Sequence, residues 1–533
     1  MDVEQKGVVV CREPLAARAG GRMLEEGGNA FDAAVAAAFA QSVVNPVACG
    51  IGGTAKMNLY SAAGGTYLTV GGLGGAGSRA VPDQFTVLGE TNRPNRWHVA
   101  DHANCIGYLA PVVPTFVKVM GETHRLFGRL PWEEVLRPAI ELATDGFVVW
   151  PELARGWDPH AKGATDFPSG HTTLGTFAET RKIYLKDGEF YKVGETLKQT
   201  DMGATIKRIA REGPSEFYVG ETGRAMADDF ARNGGLITEK DLRSCFATVY
   251  KPLRGTYRGH TLHGTGEYRI EMFNLIEEMD VRSLTHNSAE YLDALALCFQ
   301  AAHVDRARYM GDARFVDTPT QELISKDRAR RIVREIQAGT WWDGMEQGHF
   351  PSFSTTGLVV MDAEGNTVAM SHSNGSSSGV VTQGLGFLYN NHMHNFNPLP
   401  GRRNSIAPGK EPHSAAGGPL IVSDDEGPIM ALAHYSRAGT TSEVQIVLNV
   451  LDHGLDVQAA VEAPRIHAEY EYLTIYVDPS FPESIREELV TGTRHKLKVG
   501  AITPAVATIH KDRSTNSIRG GGDPRAAYGV VTV

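Results

Sequence analysis

The 533 residues carry 42% hydrophobic and 21% charged side chains, a balance that is typical of globular proteins and excludes a disordered or fibrous chain. The formal net charge of -10 argues against nucleic acid or an anionic membrane as a partner, because both select clustered Lys and Arg. The five cysteines are scattered without C-x-x-C spacing, which excludes a disulfide framework and a zinc knuckle. Together with an N-terminus that lacks the pattern of a secretory signal, they predict a cytoplasmic location.

Helical patterns dominate the first two-thirds of the chain. Residues 29–44 are rich in alanine, and Asn29 followed by Asp32 resembles a capping box, so this segment is predicted to be a buried core helix. Apolar residues at i, i+3, i+4 spacing predict four further helices, at 131–145, 221–233, 288–304 and 326–337. The polar stretch 160–200, rich in Gly and Thr, is expected to be a long excursion over the surface.

The pattern changes near residue 350, where strand-like alternation begins. Five runs are predicted as strands: GLVVMD, NTVAMSHS, LGFLYNN, GPLIVSDD and GPIMALAHY. Helices are predicted at 442–454 and 456–462. This mixture of sheets with covering helices indicates an α+β or layered α/β/β/α architecture.

A collinear series of motifs carries a resemblance to a known family. The series consists of EEGGNAFDAAVAAAFAQSVVNPVACGIGGT, GPSEFYVG, NGGLITEKDL, DRARYMGD, TTGLVVMDAEGNTVA, NNHMHNF, PGRRNSIAPGKEP, LNVLDHGLDVQAAVEAPRIH and GGGDPR. In this order the motifs cover most of the chain, and the sequence resembles the γ-glutamyltransferases from end to end. It is similar in particular to divergent amidohydrolases of that family, such as oxamate amidohydrolase and the cephalosporin or glutaryl acylases.

The resemblance implies the N-terminal-nucleophile fold, an αββα sandwich formed by the large and small subunits of one autoprocessed precursor. Aligning VVMDAEGNTVA places the nucleophile at Thr355 and the cleaved bond after Ser354. The large subunit would then be 1–354 and the small subunit 355–533. The change of pattern near residue 350 agrees with this boundary.

Cleavage before a threonine has a simple chemical reason. The backbone nitrogen of Thr355 cannot accept a proton while it is an amide, whereas a freed α-amine has a pKa of about 7.7–8.0. One residue then supplies both the nucleophile and its base. The expected substrate is a small-molecule amide, and no cofactor or metal, nucleic acid or membrane is expected to take part. The expected partners are the two subunits of one precursor, and the resemblance allows a dimer of such heterodimers.

The resemblance also assigns supporting residues. A hydroxyl that orients the nucleophile falls at Ser373. The backbone N–H groups that stabilise the oxyanion fall at Tyr435-Ser436, and the pair Ala438-Gly439 is the alternative if the loop is shifted.

Residues expected to contact substrate depart from the family pattern. Leu73 stands where an arginine clamps the α-carboxylate of a γ-glutamyl donor, and His394 stands where an acid holds its α-ammonium. Gly375 replaces an Asn or Glu, and Ser414 falls in a segment one residue longer than usual. The candidate substrate-binding residues are Leu73, Asn374, Gly375, His394, Ser414 and Arg437.

These departures favour a threonine amide hydrolase whose substrate is not a γ-glutamyl compound, since an unpaired buried charge costs roughly 2–5 kcal/mol. Two alternatives remain open. The first is an authentic γ-glutamyltransferase or glutathione hydrolase with a clamp rebuilt from Arg79, Arg402 or Arg437. The second is an unprocessed, non-catalytic binding protein. For His394 both a substrate-binding and a structural interpretation remain open.

Overall fold

A computed structural model describes most of the chain. The described residues are 5–90, 97–159, 168–341, 355–413, 418–434, 438–469, 473–500, 502 and 506–533. Strands are numbered β1 to β22 and helices α1 to α18 in chain order. The predicted cleavage residue Ser354 and the predicted site residues Ser414, Tyr435, Ser436 and Arg437 lie outside the described residues.

Two large antiparallel sheets form the centre of the molecule. The first sheet has seven strands in the order β10 (Thr248–Tyr250), β3 (Thr66–Gly72), β2 (Thr54–Ser61), β14 (Thr367–Ser373), β13 (Thr356–Asp362), β1 (Gly7–Cys11) and β22 (Gly529–Thr532). The second has six strands in the order β11 (Leu253–Tyr257), β12 (His260–Gly264), β15 (Leu420–Asp424), β16 (Gly427–His434), β20 (Val506–Asp512) and β21 (Ser517–Gly521).

The two sheets pack face to face through small and branched apolar side chains. The first sheet contributes Val8, Val10, Val359, Met361 and Ala369. They pack against residues of the second sheet, which are Ile421, Ala431, Ala433, Ala507 and Ile509. These residues alternate along their strands, so each central strand presents one face to the other sheet and the opposite face to a helix layer.

The helices lie in two layers outside the sheets. The helices are α1 (Pro14–Glu25), α2 (Ala30–Val44), α3 (Phe116–Phe127), α4 (Trp132–Asp145), α5 (Pro151–Arg155), α6 (Gly170–Thr176), α7 (Ala178–Tyr184), α8 (Thr200–Glu212), α9 (Glu216–Val219), α10 (Glu221–Arg232), α11 (Glu239–Arg243), α12 (Glu267–Glu278), α13 (Ala289–Tyr309), α14 (Thr320–Leu323), α15 (Lys326–Gln337), α16 (Gly439–Leu451), α17 (Val457–Glu462) and α18 (Glu483–Gly492). One apolar cluster joins the helices α1, α2, α3, α4 and α8 to the first sheet. Another joins α12, α13, α15 and α16 to the second sheet. The layers therefore follow the order α, β, β, α, as the resemblance implies.

Short strands complete the structure. They are β4 (Val87–Glu90) with β5 (Trp97–Val99), β6 (Phe147–Val148) with β9 (Thr196–Leu197), β7 (Leu185–Lys186) with β8 (Glu189–Phe190), and a three-stranded sheet of β17 (Ile466–Ala468), β18 (Thr474–Val477) and β19 (Lys496–Val499). No described helix combines the length and apolar character that crossing a membrane requires.

All seven predicted helices are present, with ends that differ by a few residues, the largest differences being that α13 runs to Tyr309 and α16 begins at Gly439. One prediction is wrong. The run LGFLYNN is not a strand, because Gly384 and Gly386 adopt positive φ and the side chain of Asn390 bonds to the backbone of Gly52 and Val112. The described part of the stretch 160–200 lies mostly at the surface, as predicted, but it also contains α6 and α7 and buries Leu174 and Tyr184.

Helix α2 is buried along its whole length between α1, α4 and the first sheet. Asn29 accepts hydrogen bonds from the backbone of Phe31 and Asp32, while Asp32 accepts from the backbone of Asn29, so the predicted capping box is confirmed. Every one of its 15 residues is buried, which explains the run of alanines: small side chains let neighbouring backbones approach closely.

A polar bond crosses from α2 to the sheet. The side chain of Gln41 lies 2.8 Å from His372 Nε2 on β14. Because Gln41 Nε2 donates to Glu13 and Thr356, its Oε1 is the acceptor, and His372 must carry its proton on Nε2. Burial lowers the pKa of His372 to about 3, so the ring is neutral in the folded protein.

The neutral His372 predicts a loss of stability in acid. Between pH 6.5 and about 3 the unfolded chain binds a proton at this position that the folded chain does not, so stability falls as the pH falls. His372→Gln keeps a donor for Gln41 and cannot titrate. We expect the free energy of unfolding of this variant to fall less steeply below pH 6.5 than that of the wild type. The two slopes should differ by up to about 1.4 kcal/mol per pH unit. Melting temperatures of both proteins at pH 7, 6 and 5 test this, and parallel curves would contradict it.

Candidate active site

Thr355 and Ser373 meet at one end of two neighbouring strands. The antiparallel register pairs Thr356 with His372, so the residue before β13 lies beside the residue that ends β14. Thr355 Oγ1 donates to Ser373 Oγ at 3.0 Å, and the backbone N–H of Gly375 donates to the same Ser373 oxygen at 2.8 Å. The Thr355 hydroxyl is therefore held by a hydroxyl that the following turn also fixes.

This pair borders a cavity of about 530 Å³ between the two sheets. Leu73, Thr355, Ser373, Gly375 and His394 all line it, so five of the predicted site residues surround one space. The opposite wall comes from the segments 264–268, 310–320 and 411–413. A volume of this size accommodates a small organic molecule.

Gly375 has a backbone that excludes a side chain. Its φ is 68°, and a Cβ at this position would clash with Oδ1 of Asn391. That oxygen accepts a hydrogen bond from the backbone of Ser376, and the amide nitrogen of Asn391 donates to Cys105 and Ser377. The turn after β14 is thus built around Asn391 and leaves the cavity open beside Ser373.

His394 lies in the cavity wall beside this turn. It belongs to a short 3₁₀ helix, His392–Asn395, and is buried. Its Nδ1 donates to the backbone carbonyl of Asn391, and its Cε1 lies 3.2 Å from where a Cβ on Gly375 would stand. The ring is therefore both anchored to the backbone and part of the cavity lining, so the two interpretations of His394 are compatible.

Three other predicted residues lie outside this lining. Asn374 is fully buried, and its side-chain amide donates to the carbonyl of Pro46 at 3.0 Å, on the side of the loop before β2. Ala438 is the N-cap of α16 and Gly439 is its first residue. Among the described residues that line the cavity, none of these three occurs. The substrate contact predicted for Asn374 and the oxyanion donors considered at Ala438-Gly439 remain predictions.

Two of the three arginines proposed for a rebuilt clamp, Arg79 and Arg402, also lie elsewhere. Arg79 donates to the carbonyl of Gly235, and the backbone N–H of Arg402 donates to Ser405. Neither residue lines the cavity. Of the three arginines considered, only Arg437 falls outside the described residues.

Lys56 is a cavity residue that the sequence analysis did not identify. It lies on β2 opposite Ser371 of β14 and Gly71 of β3. The side chain of Lys56 passes over Gly71, since a Cβ added at position 71 would lie 2.9 Å from Lys56 Cγ. It also approaches Gly418, on the side of the second sheet. Among the described lining residues it is the one Lys or Arg. In TAKMNL the lysine falls on the polar face of an ordinary strand alternation, so the sequence carries no signal that distinguishes it from a lysine facing solvent.

The surroundings of Lys56 keep it charged. Burial lowers its pKa, but the hydroxyl of Tyr250 and the carboxylates of Glu411 and Glu267 outweigh burial, and the pKa lies above its ordinary value. Burial, and after it the charges of Arg306 and Lys56, holds the pKa of His413 well below its usual range. The cavity therefore presents one ammonium group beside the carboxylates of Glu267 and Glu411 and the neutral imidazoles of His372 and His413.

A buried contact between an arginine and a glutamate lies behind the opposite wall. Arg269 contacts Glu443 of α16 at 3.0 Å and donates to the carbonyl of Pro419. Burial raises the pKa of Glu443 to about 8 although Arg269 opposes this shift. The pair thus joins the start of β15 to α16, and both elements adjoin segments in which substrate contacts were predicted.

The arrangement is suited to acyl transfer by a hydroxyl group. A positioned hydroxyl pair faces a cavity with an ammonium group, which can orient a polar substrate against the hydroxyl. Within the described ranges no cluster of three or more His, Cys, Asp or Glu side chains could hold a metal ion. All five cysteines are free thiols.

Comparison with known proteins agrees with this geometry. The sequence profile described as Gamma-glutamyltranspeptidase matches residues 16–533. The chain is 35% identical over 498 residues to the Acylase ACY 1 proenzyme of Pseudomonas sp. (strain V22), covering 91% of this chain and 86% of that protein. It is 28% identical to the Glutathione hydrolase proenzyme of Escherichia coli (strain K12), covering 98% and 91% of the two chains.

A solved structure supports the same assignment. The cephalosporin acylase from Bacillus halodurans superposes with a TM-score of 0.80 at 26% identity, covering 99% of this chain and 96% of that one. The relatives named acylase and glutathione hydrolase are hydrolases of amide bonds, and two of them are named proenzymes. The chain belongs to the γ-glutamyltranspeptidase family of N-terminal-nucleophile hydrolases.

Proposed function

We propose that this protein is an amide hydrolase whose nucleophile is Thr355, freed by self-cleavage of the Ser354–Thr355 bond. The observation that carries the proposal is the 3.0 Å hydrogen bond from Thr355 Oγ1 to Ser373 Oγ at the border of the cavity. The proenzyme names of two relatives support a precursor that is cut into a large and a small subunit.

The reaction balances with groups that Thr355 itself supplies. Its freed α-amine takes the hydroxyl proton while Oγ1 attacks the amide carbonyl, giving a tetrahedral intermediate. Collapse breaks the C–N bond, and the ammonium returns its proton to the leaving amine. An acyl-threonine ester remains. Water then attacks the ester, loses a proton to the α-amine, and the carboxylic acid leaves as Oγ1 regains its hydrogen.

Ser373 has a clear part in this proposal. It accepts the Thr355 hydroxyl hydrogen bond, so it orients Oγ1, and its own position is fixed by Gly375 N–H. Ser373 thus supplies the orienting hydroxyl that the resemblance to the family implies.

The cavity favours an acyl group that differs from γ-glutamyl. Leu73 gives an apolar surface where the family arginine would bind a carboxylate, and the arginines at 79 and 402 lie outside the lining. Lys56 offers a single ammonium group from a different strand, and the carboxylates of Glu267 and Glu411 share the lining with it. Because Leu73 and His394 stand where the family binds the two charges of a γ-glutamyl donor, we propose a substrate that lacks the α-ammonium group and places one carboxylate at Lys56, in line with the relatives that are named acylases.

Thr355→Ala should abolish both cleavage and turnover because it removes the attacking hydroxyl. Mass spectrometry of the purified wild-type protein should find two chains, one beginning at Thr355, while the variant should remain a single chain of 57.7 kDa. Thr355→Ser is the matched control, since it keeps a hydroxyl and should still be cut. A wild-type protein that persists as one chain would instead support the non-catalytic binding protein.

Lys56→Met should weaken hydrolysis of an anionic acyl donor selectively. With glutaryl-p-nitroanilide we expect kcat/KM to fall by about tenfold to a hundredfold, because a charge-assisted hydrogen bond is lost. With the neutral pentanoyl-p-nitroanilide kcat/KM should change by less than about twofold. Release of nitroaniline measures both.

The same assay separates the two enzymatic alternatives. Wild-type protein that hydrolyses γ-glutamyl-p-nitroanilide faster than the glutaryl compound would favour an authentic γ-glutamyltransferase. Equal losses with the glutaryl and pentanoyl compounds in Lys56→Met would contradict a carboxylate-binding function of Lys56.

A further inference from the structure

Glu13 is a fully buried carboxylate on the helix side of the strand that follows the nucleophile. It is the N-cap residue of α1, yet its side chain makes no capping hydrogen bond. Instead the carboxylate accepts from Gln41 Nε2 and Asn45 Nδ2, each at 2.5 Å, and from Thr356 Oγ1 at 3.1 Å to both oxygens. All three donors belong to other elements, so local helix capping does not explain the contacts of Glu13.

The contacts of Glu13 extend to both strands that carry the hydroxyl pair. Gln41, which donates to Glu13, also donates to Thr356 Oγ1 at 3.0 Å and accepts from His372 Nε2 at 2.8 Å. Thr356 follows Thr355 directly, and His372 precedes Ser373 directly. Thr356 and His372 are cross-strand partners. On the helix side of the sheet, the Glu13 network therefore holds the residues next to both members of the hydroxyl pair.

Self-cleavage makes this anchorage important. Once the bond before Thr355 is cut, Thr355 is a chain terminus, and termini are poorly ordered unless they are tied down. The position of its hydroxyl and α-amine then depends on Thr356, because that is its one covalent neighbour. A loss of order of about 1 Å at a reacting group can cost roughly a hundredfold in rate.

We propose that Glu13 is a positioning residue for the nucleophile, acting through Thr356 and through Gln41 to His372. The inference rests on the proposed function of Thr355. Glu13 does not touch the reacting atoms. Its two oxygens are acceptors that match three donors, and this match sets the register in which Thr355 Oγ1 reaches Ser373.

Glu13→Gln tests the match with little change of shape. The variant replaces one acceptor oxygen by an NH₂ group that faces the donors of Gln41 or Asn45. We expect self-cleavage of freshly synthesised precursor to slow by at least about tenfold. The cleaved fraction should also react more slowly with p-nitrophenyl acetate, which transfers its acetyl group to Thr355 Oγ1 with loss of p-nitrophenolate. Peptide mass spectrometry measures the acetylation at Thr355.

Asp362→Asn is the matched control for stability. Asp362 is a buried carboxylate at the other end of β13, and it accepts from the backbone of Ala30 and from Asn366. We expect it to lower the melting temperature while cleavage and acetylation stay within about twofold of wild type. Glu13→Gln combined with Asn45→Asp should recover most of the rate, because the carboxylate introduced at position 45 accepts from the new NH₂ group.

Thr356→Val gives a second, independent test if Glu13→Gln does not fold. It removes the hydroxyl that joins Glu13 to β13 and keeps a β-branched side chain, so it should also slow acetylation of Thr355. The inference is overturned if Glu13→Gln or Thr356→Val reacts as fast as Asp362→Asn, or if the double variant regains its melting temperature but not its rate. A wild-type protein that is neither cut nor acetylated at Thr355 would overturn the proposed function itself, and this inference with it.

Discussion

The antiparallel register of β13 with β14 is the constraint on which the site depends. A slip by one residue would turn every side chain to the other face of its strand. If β14 slipped against β13, His372 would face the second sheet and Ser373 would point into the helix layer, away from Thr355. The register is held on one side by apolar packing between the sheets and on the other by polar bonds from α1 and α2. The geometry of the Thr355 and Ser373 hydroxyls thus follows from how the central strands are packed.

Seven of the 18 helices in the described residues could be predicted from sequence, because each of these seven carries its own signal. Asn29 and Asp32 mark the start of α2, and apolar spacing marks the others. The strands β13 to β16 could also be predicted, because the alternation of their side chains matches a strand with one face toward the other sheet and one toward a helix layer. The strand prediction for LGFLYNN was wrong because its apolar residues belong to a loop. The side chain of Asn390, and not a neighbouring strand, bonds there to the backbone. Nothing in the local pattern distinguishes these two cases.

The site was predictable only in part, for a related reason. The collinear motifs located Thr355 and Ser373, and the structure brings them to one hydrogen bond. Asn374 follows Ser373 in the chain but turns toward Pro46, because the turn at Gly375 reverses the backbone. Lys56 and Glu13 lie near the start of the chain, far from Thr355 in sequence, and no residue spacing announces their proximity. Such contacts become visible only when the sheet order is known.

The sheet order also affects how the protein would unfold and refold after a cut before Thr355. Residues on both sides of Thr355 are interleaved in both sheets: β14 pairs with β2, β13 with β1, and β15 with β12. A cut before Thr355 would therefore leave the folded form nearly unchanged but would turn refolding into the meeting of two separate chains. The precursor can refold at any dilution, whereas the cut form, once opened, must find its counterpart at the prevailing concentration. The working lifetime of such a protein would be set by the rate at which it first unfolds.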